Sequence, residues 1–226
     1  SGEGVKQDYL KAIEYYELLV RHFDGDAAYK LGLFYENGKG VERNLDKAIE
    51  YYEIAAQYMN SDAFLKLGSF HEEGKKYPQN YIKAIECYES SAELDNSLAY
   101  LRLANIFYYG KGVDADIDKA KYNYNKIIEM NKPELYSFKV CHNGSYYIAC
   151  NDLGLIHLID NKTEDKEIGI NFIKEAAFAE YSYAQNNLGL IYQLFQKEIE
   201  NAEYLFGRSS KQNFALANFN LGYLKE

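Results

Sequence analysis

Few residues of this 226-residue chain combine the types and spacing that chemistry requires. Cys141-His142, Cys150 and His157 lie near one another in sequence, but structural zinc sites are built on short fixed pairs such as C-x-x-C. This set contains no such pair, so no metal is expected. Cys150 and His157 fall on an apolar helical face and read as packing residues. Cys87 sits within a helix and reads as a small hydrophobe. His22 lies near a helix C-terminus, where a cation is favourable. The carboxylate pairs Glu72-Glu73 and Asp116/Asp118 fall on turns or helix starts, and no pocket is marked around them, which favours a solvated face over acid–base work. There is no G-x-S-x-G, H-E-x-x-H or P-loop. Neither catalysis nor a cofactor is expected.

The bulk properties exclude further classes. Acids outnumber bases 34 to 25, for a formal charge of −9, the reverse of a general nucleic-acid binder. No apolar run approaches the ~20 residues of a membrane-spanning helix, so no membrane insertion is expected. With 47% hydrophobic and 26% charged residues the chain should fold. It has 2 Pro, no Trp and 24 Tyr. Few prolines leave helices unbroken, and tyrosines suit packing surfaces with one wet end. Three cysteines, odd in number and sparse, are no disulfide framework. A cytoplasmic setting is therefore expected over a secretory or periplasmic one. The chain does not start with Met, so the lack of a signal peptide carries no information.

The elements that would position any site come from a repeat. Residues 27–60, 63–96 and 99–132 align without gaps. Gly32, Gly68 and Ala104 are 36 residues apart, as are Ala12, Ala48, Ala84 and Ala120. Gly154, Gly189 and Gly222 continue the first column, and Gly169 and Ala202 the second, in divergent repeats over 145–181 and 184–214. The step from Ala104 to Gly154 is 50 rather than 36, which places an insertion at 131–144. Its Pro133 and Gly144 suggest a short helix or ordered loop ahead of a cap at Ser145, against a hairpin at Asn143-Gly144. Each repeat reads as two antiparallel helices. Ala27, Leu31, Gly32 and Tyr35 form an apolar face in the first, and Gly38 falls at a left-handed C-cap. Asp8, Asn44, Asn80, Asp116 and Asp165 precede the second helices as N-caps. Ala48, Tyr52 and Ala55 share a face of the second helix.

The pattern LGxxYxxGxGV followed by KAxxYYxxAA resembles the Sel-one-like repeat, a relative of the tetratricopeptide repeat. Leu31, Gly32, Tyr35, Gly38, Gly40, Val41, Lys47, Ala48, Tyr51, Tyr52, Ala55 and Ala56 carry it best, and Gly110, Gly112 and Val113 keep its loop. His71 and His157 replace the Tyr, Lys76 replaces Gly40, and the GxGV loop is lost at Asp160-Asn161 and around Phe195. The resemblance implies an all-α fold, a right-handed α-solenoid of antiparallel helix pairs forming a single domain over 1–226. Residues 1–23 would be the second helix of a truncated repeat and 215–226 a terminal first helix. A fragment of a longer array is expected, with capping helices as the alternative.

The resemblance further implies a non-catalytic scaffold or adaptor that holds a protein or extended peptide in its concave groove. A dedicated inhibitor or immunity protein for one enzyme or toxin is the alternative, and a structural module of a longer protein a third reading. In related solenoids the first helices line the groove, through positions three and two before the small residue and one and four after it. These are Tyr29, Lys30, Leu33 and Glu36; Leu65, Lys66, Ser69 and Glu72; Leu101, Arg102, Asn105 and Tyr108; Asn151, Asp152, Leu155 and Leu158; and Asn186, Asn187, Leu190 and Gln193. An average exposed helix face is the competing reading. Lys30, Lys66 and Arg102 share one register and would form a ladder of cations for an acidic segment, with Leu65 and Leu101 gripping apolar groups. Local pairing with Glu36 or Glu72 is the alternative.

Overall fold

Helix punctuation recurs every 36 residues, and the helices start and stop on it. The computed structural model describes residues 8–131, 144–159 and 163–224. These form α-helices, with no strand among the described residues. The chain divides into two compact units, residues 1–117 and 118–226.

The first unit contains α1 (Tyr9–Val20), α2 (Gly25–Asn37), α3 (Leu45–Gln57), α4 (Ser61–Glu73), α5 (Tyr81–Ala92) and α6 (Ser97–Tyr109). The anticipated caps are in place: Asp8, Asn44 and Asn80 accept from the backbone N–H of Lys11, Lys47 and Lys83 at 3.1, 3.0 and 3.0 Å. Asp24, Asn60 and Asn96 form a second cap column, at the starts of α2, α4 and α6. Those helices end on Gly38, Gly74 and Gly110, at φ 67°, 68° and 63°, a region glycine enters without steric cost. The return turns use the same region without glycine, at Phe23, Met59 and Asp95.

Within repeats α2 packs on α3 and α4 on α5; between repeats α3 packs on α4 and α5 on α6. The pairs are antiparallel: Gly25 lies against Tyr58 and Gly32 against Tyr52. A core of Ala28, Ala48, Ile49, Tyr52, Ala55, Ala56, Ala63, Leu67 and Phe70 runs through this unit. Alanine lines the crossings, so the helices come close and the large rings fill the spaces left.

The second unit contains α7 (Ile117–Met130), α8 (Gly144–Ile159), α9 (Thr163–Phe178), α10 (Ser182–Ile191), α11 (Ile199–Lys211) and α12 (Ala215–Tyr223). Here α8 pairs with α9 and α10 with α11, while α9 packs on α10 and α11 on α12. A π-turn, Tyr192–Gln196, stands where the GxGV loop is lost. Two expected caps are corrected. Ser145 is buried inside α8, which already starts at Gly144, and Asp165 lies inside α9, which starts at Thr163. Both helices run further toward their N-termini than the regular repeat does. Gly2, Gly4, Val5 and the 131–144 insertion, apart from its two end residues Asn131 and Gly144, lie outside the described residues, as do Cys141 and His142.

Candidate functional site

Some of the residues expected to line a groove are held by a bridge that repeats with the helices. Tyr52 of α3 is fully buried against Gly32, and its hydroxyl donates to Glu36 of α2 at 2.5 Å. Glu36 also accepts from Lys66 Nζ of α4 at 3.0 and 3.2 Å. One repeat later Tyr88 donates to Glu72 at 2.7 Å, and Arg102 of α6 approaches that carboxylate at 3.9 Å. Each carboxylate therefore ties the two helices of its repeat to the first helix of the next. The acid sits four residues after the small residue, one helical turn on, and so lies above the tyrosine hydroxyl.

The cation ladder is consequently not a bare basic stripe. Lys66 and Arg102 pair with the preceding repeat's acid, as the local-pairing alternative had it, and the row reads Glu36, Lys66, Glu72, Arg102 with alternating sign. Lys30 is exposed, its ammonium 5.7 Å from the Tyr29 ring centroid.

In the second unit the same register carries other chemistry. Asp152 stands where Lys66 and Arg102 do, and accepts directly from Tyr124 at 3.3 Å. The repeat of Tyr124 has Tyr108 in place of Glu36, so the acid has moved to the following first helix. Burial pushes the Asp152 carboxyl up, opposed by hydrogen bonds from Asn151 and Tyr124. Further on, amides replace ions: Asn187 donates to Asn151 at 2.9 Å and Asn220 to Asn186 at 2.8 Å. At Lys66, Arg102, Asp152, Asn187 and Asn220 the residue two before the small residue is thus the bridge to the repeat before it. That column was legible in the sequence as a row of polar residues, but the side on which each would pair was not.

Several expected groove residues sit elsewhere. Leu101 is 9% exposed and Asn151 3%, so both belong to the packed interior rather than to a gripping surface. Asn186 is likewise buried. Tyr29 and Leu33 are half-buried and pack on the core cluster, Tyr29 with its ring 5.6 Å from that of Tyr52. Leu65 and Asn187 are half-buried, as are Asp152, Leu155, Leu158, Leu190 and Gln193. Ser69 turns its hydroxyl onto the Lys66 carbonyl at 2.7 Å. Asn105 and Tyr108 remain partly accessible on α6. The two histidines that replace tyrosine act as rings in packing: His71 stacks on Tyr77 at 4.8 Å and His157 on Phe172 at 6.2 Å. Burial holds the His71 imidazole toward its neutral form. Cys150 is fully buried, and desolvation pushes its thiol up to about 12, which leaves it inert as a nucleophile. Among the described residues no group of His, Cys, Asp and Glu is arranged to hold a metal, and no helix is long and apolar enough to cross a membrane.

The buried tyrosines make stability pH-dependent on the alkaline side. Burial first, and then the hydrogen bond to Glu36 or Glu72, raise Tyr52 and Tyr88 well above the ordinary value of 10.0. The folded pKa exceeds the unfolded one, so this contribution is complete below pH ~10. Above that the unfolded chain loses protons that the folded one retains, and stability falls by about 1.4 kcal/mol per pH unit for each tyrosine. The urea midpoint should drop above that pH, less steeply in a Tyr52→Phe, Tyr88→Phe double variant. Equal slopes would show that these two hydroxyls are not responsible.

The chain matches the Sel1 repeat at residues 1–21, 25–57, 61–96, 97–132 and 182–214, and it belongs to that family. Sel1 repeat proteins generally mediate protein–protein interaction and are typically non-catalytic. Among solved structures it is similar to c5321, a protective antigen of uropathogenic Escherichia coli with an SLR fold. That match has a TM-score of 0.83 at 23% identity, and covers 98% of this chain and 45% of the other. This chain thus spans under half the length of that relative. A Sel1 repeat protein from Oxalobacter formigenes matches at TM-score 0.70 and 20% identity, over 89% of this chain and 81% of the other. The immunity protein PA5088 from Pseudomonas aeruginosa matches at 0.51 and 18%, over 86% and 67%. No curated protein matches.

Proposed function

We propose that the chain is a non-catalytic scaffold that holds a protein segment in extended form along its first helices. The observation that carries this reading is the tethered row Glu36, Lys66, Glu72, Arg102. Its charges are fixed from beneath by Tyr52 and Tyr88, so a ligand meets groups already ordered, and little side-chain entropy is lost on binding. Donors and acceptors alternate along it. A peptide main chain alternates in the same way, and suits the row better than an acidic segment does, because Lys66 and Arg102 already face carboxylates.

The test is affinity capture from the native cell with three proteins: wild type, Ser69→Arg and Glu89→Arg. Ser69→Arg places a long side chain among the row, while Glu89 is an exposed residue of α5. The partner should be retained by wild type and Glu89→Arg and lost with Ser69→Arg, all three keeping their helical circular dichroism. Unchanged binding by folded Ser69→Arg would move the site to another face. The likeness to an immunity protein supports a second reading, one cognate enzyme or toxin. A single partner bound one-to-one at nanomolar strength would favour it, and several weaker partners the scaffold.

A further inference from the structure

Among the described residues, the joins made two residues before the small residue are neutral as a whole except at Asp152. Lys66 meets Glu36 and Arg102 meets Glu72, while Asn187 and Asn220 meet the amides of Asn151 and Asn186. Asp152 has only uncharged partners. Its Oδ2 accepts from the Tyr124 hydroxyl at 3.3 Å and its Oδ1 from Asn151 Nδ2 at 2.9 Å. No lysine, arginine or histidine pairs with it among the described residues.

The surroundings of this carboxylate, all within the second unit, are built toward a negative charge. Asn187 of α10 donates to Asn151 Oδ1, and Asn151 of α8 in turn donates to Asp152, so a line of amides ends on the acid. Donors aligned head to tail polarise one another, and this line points at the anion. Asn151 and Tyr124, the two direct donors, are both buried and so fixed by packing. Tyr181, just before α10, is close enough for the Asp152 charge to add to burial in pushing its phenol up to about 12. Asp152 itself is only half-buried, on a first helix. These groups present one anion, partly stripped of water, among uncharged neighbours.

Resting on the reading that the first helices hold an extended protein segment, we infer that Asp152 is a specificity-determining residue for that segment and receives a lysine or arginine side chain from it. In the first unit the protein supplies both charges of each pair itself; at Asp152 it supplies only the acid, and the ligand supplies the base. The pairing is stronger than one at a free surface, because fewer water molecules screen a half-buried carboxylate. A neutral donor is the poorer fit, since Asn151 and Tyr124 already provide neutral donors. The net charge of −9 also draws a basic segment toward the protein before contact.

The probe is a phage-displayed library of random peptides, selected on the immobilised wild-type protein. The enriched peptides should share a lysine or arginine at one position. A peptide resynthesised with norleucine there should bind about tenfold more weakly or worse, and the cationic peptide should lose affinity as salt rises. Asp152→Asn should keep its helical circular dichroism and bind the cationic and norleucine peptides alike. Asp152→Ala makes the same comparison without an amide facing Asn151, and Asp152→Glu should restore the preference. Enriched peptides that share no cation overturn the inference and leave the groove reading standing. So does a preference for the cation that persists in folded Asp152→Asn or Asp152→Ala. Failure of wild type to enrich any peptide overturns the groove reading and this inference with it.

Discussion

Tyr52→Ala should be the most damaging single substitution in the first unit. The ring is fully buried and reaches from Gly32 of α2 to Phe70 of α4, so it packs on both helices beside its own. Truncating a buried aromatic ring to alanine costs about 3–5 kcal/mol, through lost burial and the cavity left behind. For a chain of this size that corresponds to about 6–20 °C in melting temperature. Tyr52→Phe separates the ring from the hydroxyl. It leaves the packing intact and removes the hydrogen bond to Glu36, worth roughly 1.5–3 kcal/mol for a bond to a charged group. The value should fall toward the lower end, because Glu36 is partly solvated and keeps Lys66. Thermal and urea unfolding of both variants decide the matter. A Phe variant as unstable as the Ala variant would mean the ring is not the main contributor. A Phe variant equal to wild type would mean the tyrosine–carboxylate–cation bridge contributes no stability.

Gly32→Leu should lower the melting temperature by about 2–12 °C, the range set by an overpacking cost of ~1–3 kcal/mol. The sequence alone suggests that Gly32→Ala is mild, because Ala104 holds the equivalent position. The geometry corrects this. A Cβ on Gly32 would lie 2.4 Å from Cε1 of Tyr52 and 2.6 Å from Cδ1. Tyr52 cannot slide aside, since its hydroxyl is held by Glu36 at the far end. Alanine at Gly32 should therefore be measurably destabilising and leucine more so, with Gly68 behaving alike against Tyr88. Gly222→Leu, where nothing is within 4 Å, is the internal control. If Gly32→Ala melts with wild type, the repeat relaxes around a methyl as easily as Ala104 implies, and the tethered-ring argument fails.

What the sequence determined by itself is whatever depends on one helix or one turn. The cap at Asn44 follows from a short polar side chain beside free backbone N–H groups, and the left-handed stop at Gly38 from the missing Cβ. The 36-residue spacing of Gly32, Gly68 and Ala104 then sets the helix pairs, since a repeated crossing residue demands a repeated crossing. The same reasoning misplaced the caps at Ser145 and Asp165, where the repeat had drifted and the helices grew longer. Only tertiary structure decided the site. Leu101 sits in the register of the half-buried Leu65, yet it is buried, because exposure depends on what the neighbouring helix brings. Lys66 and Arg102 stand in a row of cations in the sequence. In space each lies beside an acid some thirty residues earlier, because the first helices of successive repeats lie side by side. A charge's partner is set by distances across helices, which no single-helix periodicity contains. The row therefore became an alternating, neutralised one only once the repeats were stacked.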